Sequence, residues 1–215
     1  EMMTFRRLTR AQLPPMLNGY VTDRNRTVVR AFSDPASPLQ QVMARILDQE
    51  SQQPESQRTR VVPVDSTPLP TVGSVLVLAG PEQQKAVQSI VQESCGDLAT
   101  LGNAGFQIDG QTHDGPAMAV LFSCRRANVP GSALTVLYGV TPQAVAKVSR
   151  FLFYYGWQSY VIFNDGAAER TGNEGGAAWS DSIGRCQFCW QVFVWRSLCR
   201  HVPQEETGRS NRQKP

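Results

Sequence analysis

The sequence predicts an α/β fold, a compact mixed β-sheet with helices packed on it, in the element order β-α-β-β-β-α-β. Two strand-turn-helix units support this class, "VLVLAGPEQQKAV" and "TVLYGVTPQAVAKV". In both units an apolar run typical of a buried strand is followed by a proline in the first helical turn. A short helical N-terminal segment is expected before this domain.

The N-terminal segment, residues 1–50, carries one amphipathic helix in "SPLQQVMARILDQES". Ser37 suits the N-cap, and Pro38 suits the first helical position, where no N–H is needed. The apolar side chains recur at a spacing of three and four and form one stripe: Leu39, Val42, Met43, Ile46 and Leu47.

A proline-rich linker is predicted next, over residues 51–70. It contains four prolines and shows almost no hydrophobic periodicity. We expect it to connect the N-terminal segment to the main domain, or to follow the surface of that domain.

The α/β domain is predicted over residues 71–166. After the strand "VGSVLVLAG", a helix begins at Pro81 and ends before Gly96, and the strands "GFQIDG", "AMAVLFSC" and "ALTVLYGV" follow. A second helix is expected from Thr141 and Pro142 to a stop at Gly156, with Val148 and Tyr155 on its inner face. "QSYVIFNDG" ends the domain as a strand and a turn.

Residues 167–215 read as an irregular tail, either disordered or foreign to the natural fold, because the periodicity ends at Gly166. Three of the five cysteines are in this tail. An odd number of cysteines with this crowding is not the pattern of a disulfide-stapled secreted module.

Composition argues against two classes of partner. The net charge of +3 is small, and the basic clusters "FRRLTR" and "CRRANV" lack interleaved aromatic residues, so nucleic acid is not expected as a partner. No apolar run approaches the roughly 18–20 residues of a membrane span, so none is expected.

No catalytic constellation is visible, so whether the chain is an enzyme stays open. It has no G-x-G-x-x-G or Walker loop, and Pro81 and Pro142 remove donors that a bound phosphate would use. It also lacks H-E-x-x-H and G-x-S-x-G motifs. Cys124 ends an apolar strand and is interpreted as a small buried hydrophobic residue rather than a nucleophile.

Two places could bind a ligand, although no cofactor other than zinc is suggested. Cys186, Cys189, Cys199 and His201 supply the four N/S ligands of tetrahedral zinc, with a C-x-H spacing tighter than usual. The loop 109–116 places His113 near Asp109 and Asp114, either as an acid-base or metal corner or as an exposed loop histidine.

Residues 75–165 resemble an accessory α/β region of large bacterial zinc aminopeptidases of the gluzincin type. The resemblance lies in a "DG…GP" turn before an apolar strand, a loop with Asn and Pro, a "LT…G" strand and a Tyr- and Phe-containing ending. The matching residues are Asp109, Gly110, Gly115, Pro116, Asn128, Pro130, Leu134, Thr135, Gly139, Ala144, Tyr155, Tyr160, Phe163 and Gly166. The zinc-binding motif of that family is absent, so the resemblance implies a scaffold in a secreted or cell-envelope protein.

Two functions are therefore expected. The first is a non-catalytic accessory domain, a fragment of a larger bacterial metallopeptidase, which contacts the rest of that polypeptide or a protein partner. The alternative is an independent small-ligand- or zinc-binding module that uses the 109–116 loop or the cysteine-rich tail.

Overall fold

A seven-stranded mixed sheet forms the centre of the fold in the computed structural model, which describes residues 15–49, 51, 58–65 and 68–172. A three-stranded antiparallel sheet, β4-β5-β6, accompanies it. The strands are β1 (Arg26–Ala31), β2 (Arg60–Pro63), β3 (Ser74–Ala79), β4 (Ala99–Leu101), β5 (Gly105–Ile108), β6 (Gln111–Asp114), β7 (Met118–Arg125), β8 (Ala133–Gly139), β9 (Tyr160–Asn164) and β10 (Ala167–Gly172).

The large sheet has the order β10-β9-β7-β8-β3-β1-β2. Strands β2, β1, β3 and β8 are parallel neighbours, and β7, β9 and β10 add antiparallel pairs at the other end. The helices are α1 (Gly19–Thr22), α2 (Pro38–Gln49), α3 (Gln84–Cys95) and α4 (Pro142–Val148). The predicted mixed-sheet α/β class is confirmed.

The large sheet divides the core into two clusters, one on each face, and helices cover both faces. On one face, Leu39 of α2 and Val145 of α4 pack with Leu76 of β3. On the other, Val87 of α3 and Phe106 of β5 pack with Val77 of β3. Because both faces are covered, every residue of β3 and β8 is buried, as their continuous apolar runs predict.

The large sheet extends into the segments expected to be separate from the α/β domain. Strand β1, within the predicted N-terminal segment 1–50, pairs with β3 over its whole length. Strand β2, within the predicted linker 51–70, pairs with β1. Parallel strands are joined by a long crossover connection, so no turn motif next to a strand marks the pairing in the sequence. The short strands β1 and β2 are therefore hard to predict from local sequence. The domain described here therefore begins well before residue 71.

The predicted helices differ in how well their ends agree with the structure. Helix α2 starts at Pro38, and the Ser37 hydroxyl accepts a hydrogen bond from the Leu39 amide at 3.3 Å. Helix α3 follows a 3₁₀ turn that begins at Pro81. Helix α4 is capped by Thr141, but it ends at Val148 and passes into a 3₁₀ turn, so the predicted continuation to Gly156 is wrong.

The region between α3 and β7 contains more strand than predicted. Strands β5 and β6 form a hairpin whose turn residues Asp109 and Gly110 have φ angles of 51° and 73°. Positive φ at both positions matches the type I′ turn, for which Asp-Gly is a favoured sequence. The 109–116 segment is therefore a hairpin turn and its second strand rather than an open loop.

A disulfide bond joins Cys95 at the end of α3 to Cys124 in β7. The Cα atoms are 5.5 Å apart, within the usual range for a disulfide. Cys124 is buried, as expected, but its sulfur is bonded to Cys95, a pairing that no local sequence signal predicts. Among the described helices, none is long and apolar enough to cross a membrane.

Candidate functional site

The 109–116 segment, one of the two predicted ligand sites, is fixed to the end of the large sheet by polar contacts. The Tyr160 hydroxyl donates to the Asp109 carboxylate at 3.1 Å, and the Arg170 guanidinium lies 3.7 Å from the same carboxylate. Arg170 also donates to the side-chain oxygen of Gln111. These contacts use the polar side chains at the hairpin turn to attach it to β9 and β10.

Burial raises the pKa of Tyr160, and the neighbouring Asp109 carboxylate raises it further, while Arg170 acts in the opposite direction. A tyrosine with a raised pKa stays protonated at neutral pH and acts as a donor to Asp109. It does not offer a phenolate for catalysis.

His113 packs on the hairpin instead of forming an acid-base corner. Its ring stacks on Phe106, with ring centroids 5.6 Å apart, and its Nε2 is buried without a hydrogen-bond partner among the described residues. Neither Asp109 nor Asp114 is paired with it in the described structure. His113 is partly buried, so it is not an exposed loop histidine. It is also not part of an assembled acid-base site among the described residues.

The predicted zinc ligands, Cys186, Cys189, Cys199 and His201, lie outside the described residues, and their arrangement stays a prediction. Within residues 15–49, 51, 58–65 and 68–172, no group of three or more His, Cys, Asp or Glu side chains is placed to hold a metal ion.

Five aromatic residues follow α4 closely in the chain, and we call them the aromatic patch: Phe151, Phe153, Tyr154, Tyr155 and Trp157. The exposed fractions are 44% for Phe153, 63% for Tyr154 and 57% for Trp157. Exposed apolar side chains that lie together on a surface often mark a site of contact with another molecule.

The aromatic patch rests on the core through ring contacts. The Phe151 ring stacks on buried Phe163 of β9 at a centroid distance of 5.8 Å, and Tyr155 contacts Phe163 edge-on at 5.9 Å. Tyr154 then contacts Tyr155 at 4.9 Å. The Arg150 guanidinium lies 4.6 Å from the centre of the Phe151 ring, a cation–π arrangement.

Burial raises the pKa of Tyr155, with Tyr154 as a smaller cause. Its phenol therefore stays neutral and its ring is available for apolar contact.

The density of aromatic residues in the sequence is a signal for this patch, although the same residues also fit a helical period. Five of the seven residues 151–157 are aromatic, more than one buried helical stripe can hold. The helical period predicts Tyr155 on the inner face of a helix, but the helix ends at Val148, and the following turns place Phe153, Tyr154 and Trp157 on the surface.

No protein-family model matches the chain, and a search of curated proteins found no significant match.

Proposed function

We propose that this chain is a non-catalytic α/β accessory domain whose work is contact with another protein or with the rest of a larger polypeptide. The aromatic patch carries the proposal. Interface hot spots are enriched in aromatic residues and Arg, and they are most effective when held rigidly before binding. Stacking on Phe163 holds Phe151 and Tyr155 in place, and Tyr154 rests on both of them.

The reactive side chains support a non-catalytic role. Cys124 is used in a disulfide, and His113 stacks on Phe106 with no nucleophile paired to it among the described residues. A catalytic nucleophile needs a base within hydrogen-bond reach. The resemblance of residues 75–165 to an accessory region of bacterial zinc aminopeptidases favours a metallopeptidase as the larger protein.

A photo-crosslinking experiment tests the contact. The full chain, produced in its own host with benzoylphenylalanine in place of Trp157, should form one adduct of defined mass. The matched control places the same amino acid at Val72, which is 60% exposed but lies in the segment before β3. Adducts from both positions, or from neither, would contradict a specific contact at the aromatic patch.

An activity assay tests the non-catalytic part of the proposal. The purified chain, supplied with zinc, should not hydrolyse aminoacyl p-nitroanilides. Peptide hydrolysis by zinc needs about three protein ligands, an open coordination position and a general base. Zinc-dependent turnover that is lost in His113→Ala would overturn the proposal and make the 109–116 hairpin an active site.

A further inference from the structure

The parallel part of the large sheet has a switch point between neighbouring strands β1 and β3. The chain leaves β1 through α2, which packs on one face, and returns to the sheet as β2. It leaves β3 through α3, which packs on the opposite face. In open α/β sheets, ligands bind in the crevice outside the carboxyl ends of the strands at such a point.

A cavity of about 260 Å³ lies at this position. Its lining comes from the segment after β1 (Ser33, Asp34, Ser37), the segment after β3 (Gly80, Glu82) and the start of α4. The volume lies just below the roughly 300–1,000 Å³ typical of ligand pockets, so the cavity suits only a small molecule.

Two carboxylates, those of Asp34 and Glu82, give the cavity its charge. The Asp34 side chain accepts a hydrogen bond from the Ala36 amide at 2.8 Å, and the Glu82 side chain accepts from the Ser33 amide at 3.4 Å. A carboxylate offers about four acceptor positions, so these bonds leave acceptors for a ligand. Among the described residues lining the cavity, none is Lys, Arg or His.

Gly80 allows the Glu82 carboxylate to lie close to the backbone at the end of β3. A Cβ atom at this glycine would be 2.4 Å from Oε2 of Glu82. Any larger residue at position 80 would therefore displace the carboxylate from its present position.

An anionic ligand is disfavoured in this cavity, although three helical segments begin beside it. Pro38, Pro81 and Pro142 occupy first-turn positions, and proline has no backbone N–H to donate to a phosphate or carboxylate. The two side-chain carboxylates also repel negative charge. Donor-rich, positively charged ligands match both features.

We propose that this cavity binds a small organic cation, with its ammonium or guanidinium group between Asp34 and Glu82. Such groups carry three to five N–H donors and no acceptor, which complements two carboxylates and the hydroxyls of Ser33 and Ser37. The proposal uses none of the residues of the aromatic patch, so either function can fail without the other.

Agmatine, which carries both an ammonium and a guanidinium group, is a suitable probe for an NMR titration of the ¹⁵N-labelled full chain. We expect saturable shifts of the Ser33, Asp34 and Gly80 amide signals. Asp34→Asn and Glu82→Gln should each weaken binding about tenfold, because each removes one charged partner while keeping the side-chain shape. Glu169→Gln, at an exposed carboxylate of β10, is the matched control and should bind like the original protein.

Butane-1,4-diol, a neutral probe of similar length, should give no saturable shifts. Equal affinity for agmatine in Asp34→Asn, Glu82→Gln and the original protein would overturn the proposal. Shifts spread over exposed carboxylates without saturation would do the same. The spectra also report whether each variant is folded, and if Glu82→Gln is not, the Asp34→Asn result decides.

Discussion

Cys95 and Cys124 form a disulfide that ties the end of α3 to β7 across 29 residues of sequence. The bond lies in the core cluster that α3 and the small sheet form against the large sheet. Disulfides persist mainly in oxidising compartments, so this bond favours a secreted, envelope or luminal location.

The disulfide should contribute a measurable part of the stability. For a closed loop of this length, chain-entropy arguments give about 3–4 kcal/mol. We expect the Cys95→Ser/Cys124→Ser variant to lose about that much free energy of unfolding in urea. Reducing agent should destabilise the original protein and leave the double variant unchanged. Equal sensitivity of both proteins would show that the pairing does not form.

The Arg126 side chain should stabilise the segment just before β3, because it donates to backbone carbonyls in that segment. It is only 8% exposed and donates to the carbonyls of Gly73 at 2.7 Å and Pro70 at 2.6 Å. Burial lowers the pKa of Arg126 and the Glu93 carboxylate raises it, but a guanidinium stays charged in proteins.

We expect Arg126→Ala to lower the free energy of unfolding by about 2–3 kcal/mol, because the buried Gly73 carbonyl and the partly buried Pro70 carbonyl lose a charged donor. Arg126→Lys should recover part of this loss, since Lys keeps the charge but not the planar fork of donors. Lys85→Ala, at an exposed position of α3, serves as the control and should change stability by less than about 0.5 kcal/mol. A similar loss in both alanine variants would contradict the role of Arg126.

The raised pKa of Tyr160 predicts a loss of stability in alkali. Because the pKa of the folded state exceeds the unfolded value of about 10, the folded protein holds the phenolic proton more tightly. The stabilisation is complete below pH ~10 and disappears as the pH rises through the folded-state pKa.

We therefore expect the free energy of unfolding to fall less steeply above pH ~10 in Tyr160→Phe than in the original protein. The pKa values of Tyr138 and Tyr155 are also raised by burial, but both residues are present in both proteins and their effect cancels in the comparison. Urea unfolding at a series of alkaline pH values measures the two slopes. Parallel slopes would mean that Tyr160 titrates as it does in the unfolded chain.

The sequence predicts elements whose signal is local. Strand β3 is a continuous apolar run, and α2 has a cap, a proline start and a regular stripe, so both are found where expected. Leu47 is the exception within the stripe, since it is 37% exposed.

Features that depend on tertiary proximity were not predicted. The pairing of β1 with β2 and β3, and that of Cys95 with Cys124, join segments far apart in sequence. The cavity at the strand ends also depends on tertiary proximity. Asp34 and Glu82 lie at one edge of the sheet only because β1 and β3 are neighbouring strands. The aromatic patch is hidden in the sequence for a different reason, because the helical spacing of apolar residues continues past Val148, where the helix itself ends.

Strand β10 shows where the domain described here continues beyond the expected boundary at Gly166. It pairs with β9 over five residue pairs, the Ser159 amide donates to the Gly172 carbonyl at 2.9 Å, and Arg170 contacts the hairpin turn. A chain ending at Gly166 should therefore be less stable than one ending at Gly172. Both chains lack residues 173–215, so their difference isolates β10.

With a net contribution of about 0.5–1.5 kcal/mol per hydrogen bond, and with β10 mostly exposed, we expect a difference of about 2–4 kcal/mol. Thermal and urea unfolding of the two truncated chains measure it. Arg170→Ala in the longer chain is an intermediate case, since it keeps the strand and removes only the contact to Asp109 and Gln111. Equal stability of the two truncated chains would mean that β10 does not hold β9 or the hairpin, and the boundary at Gly166 would then be correct.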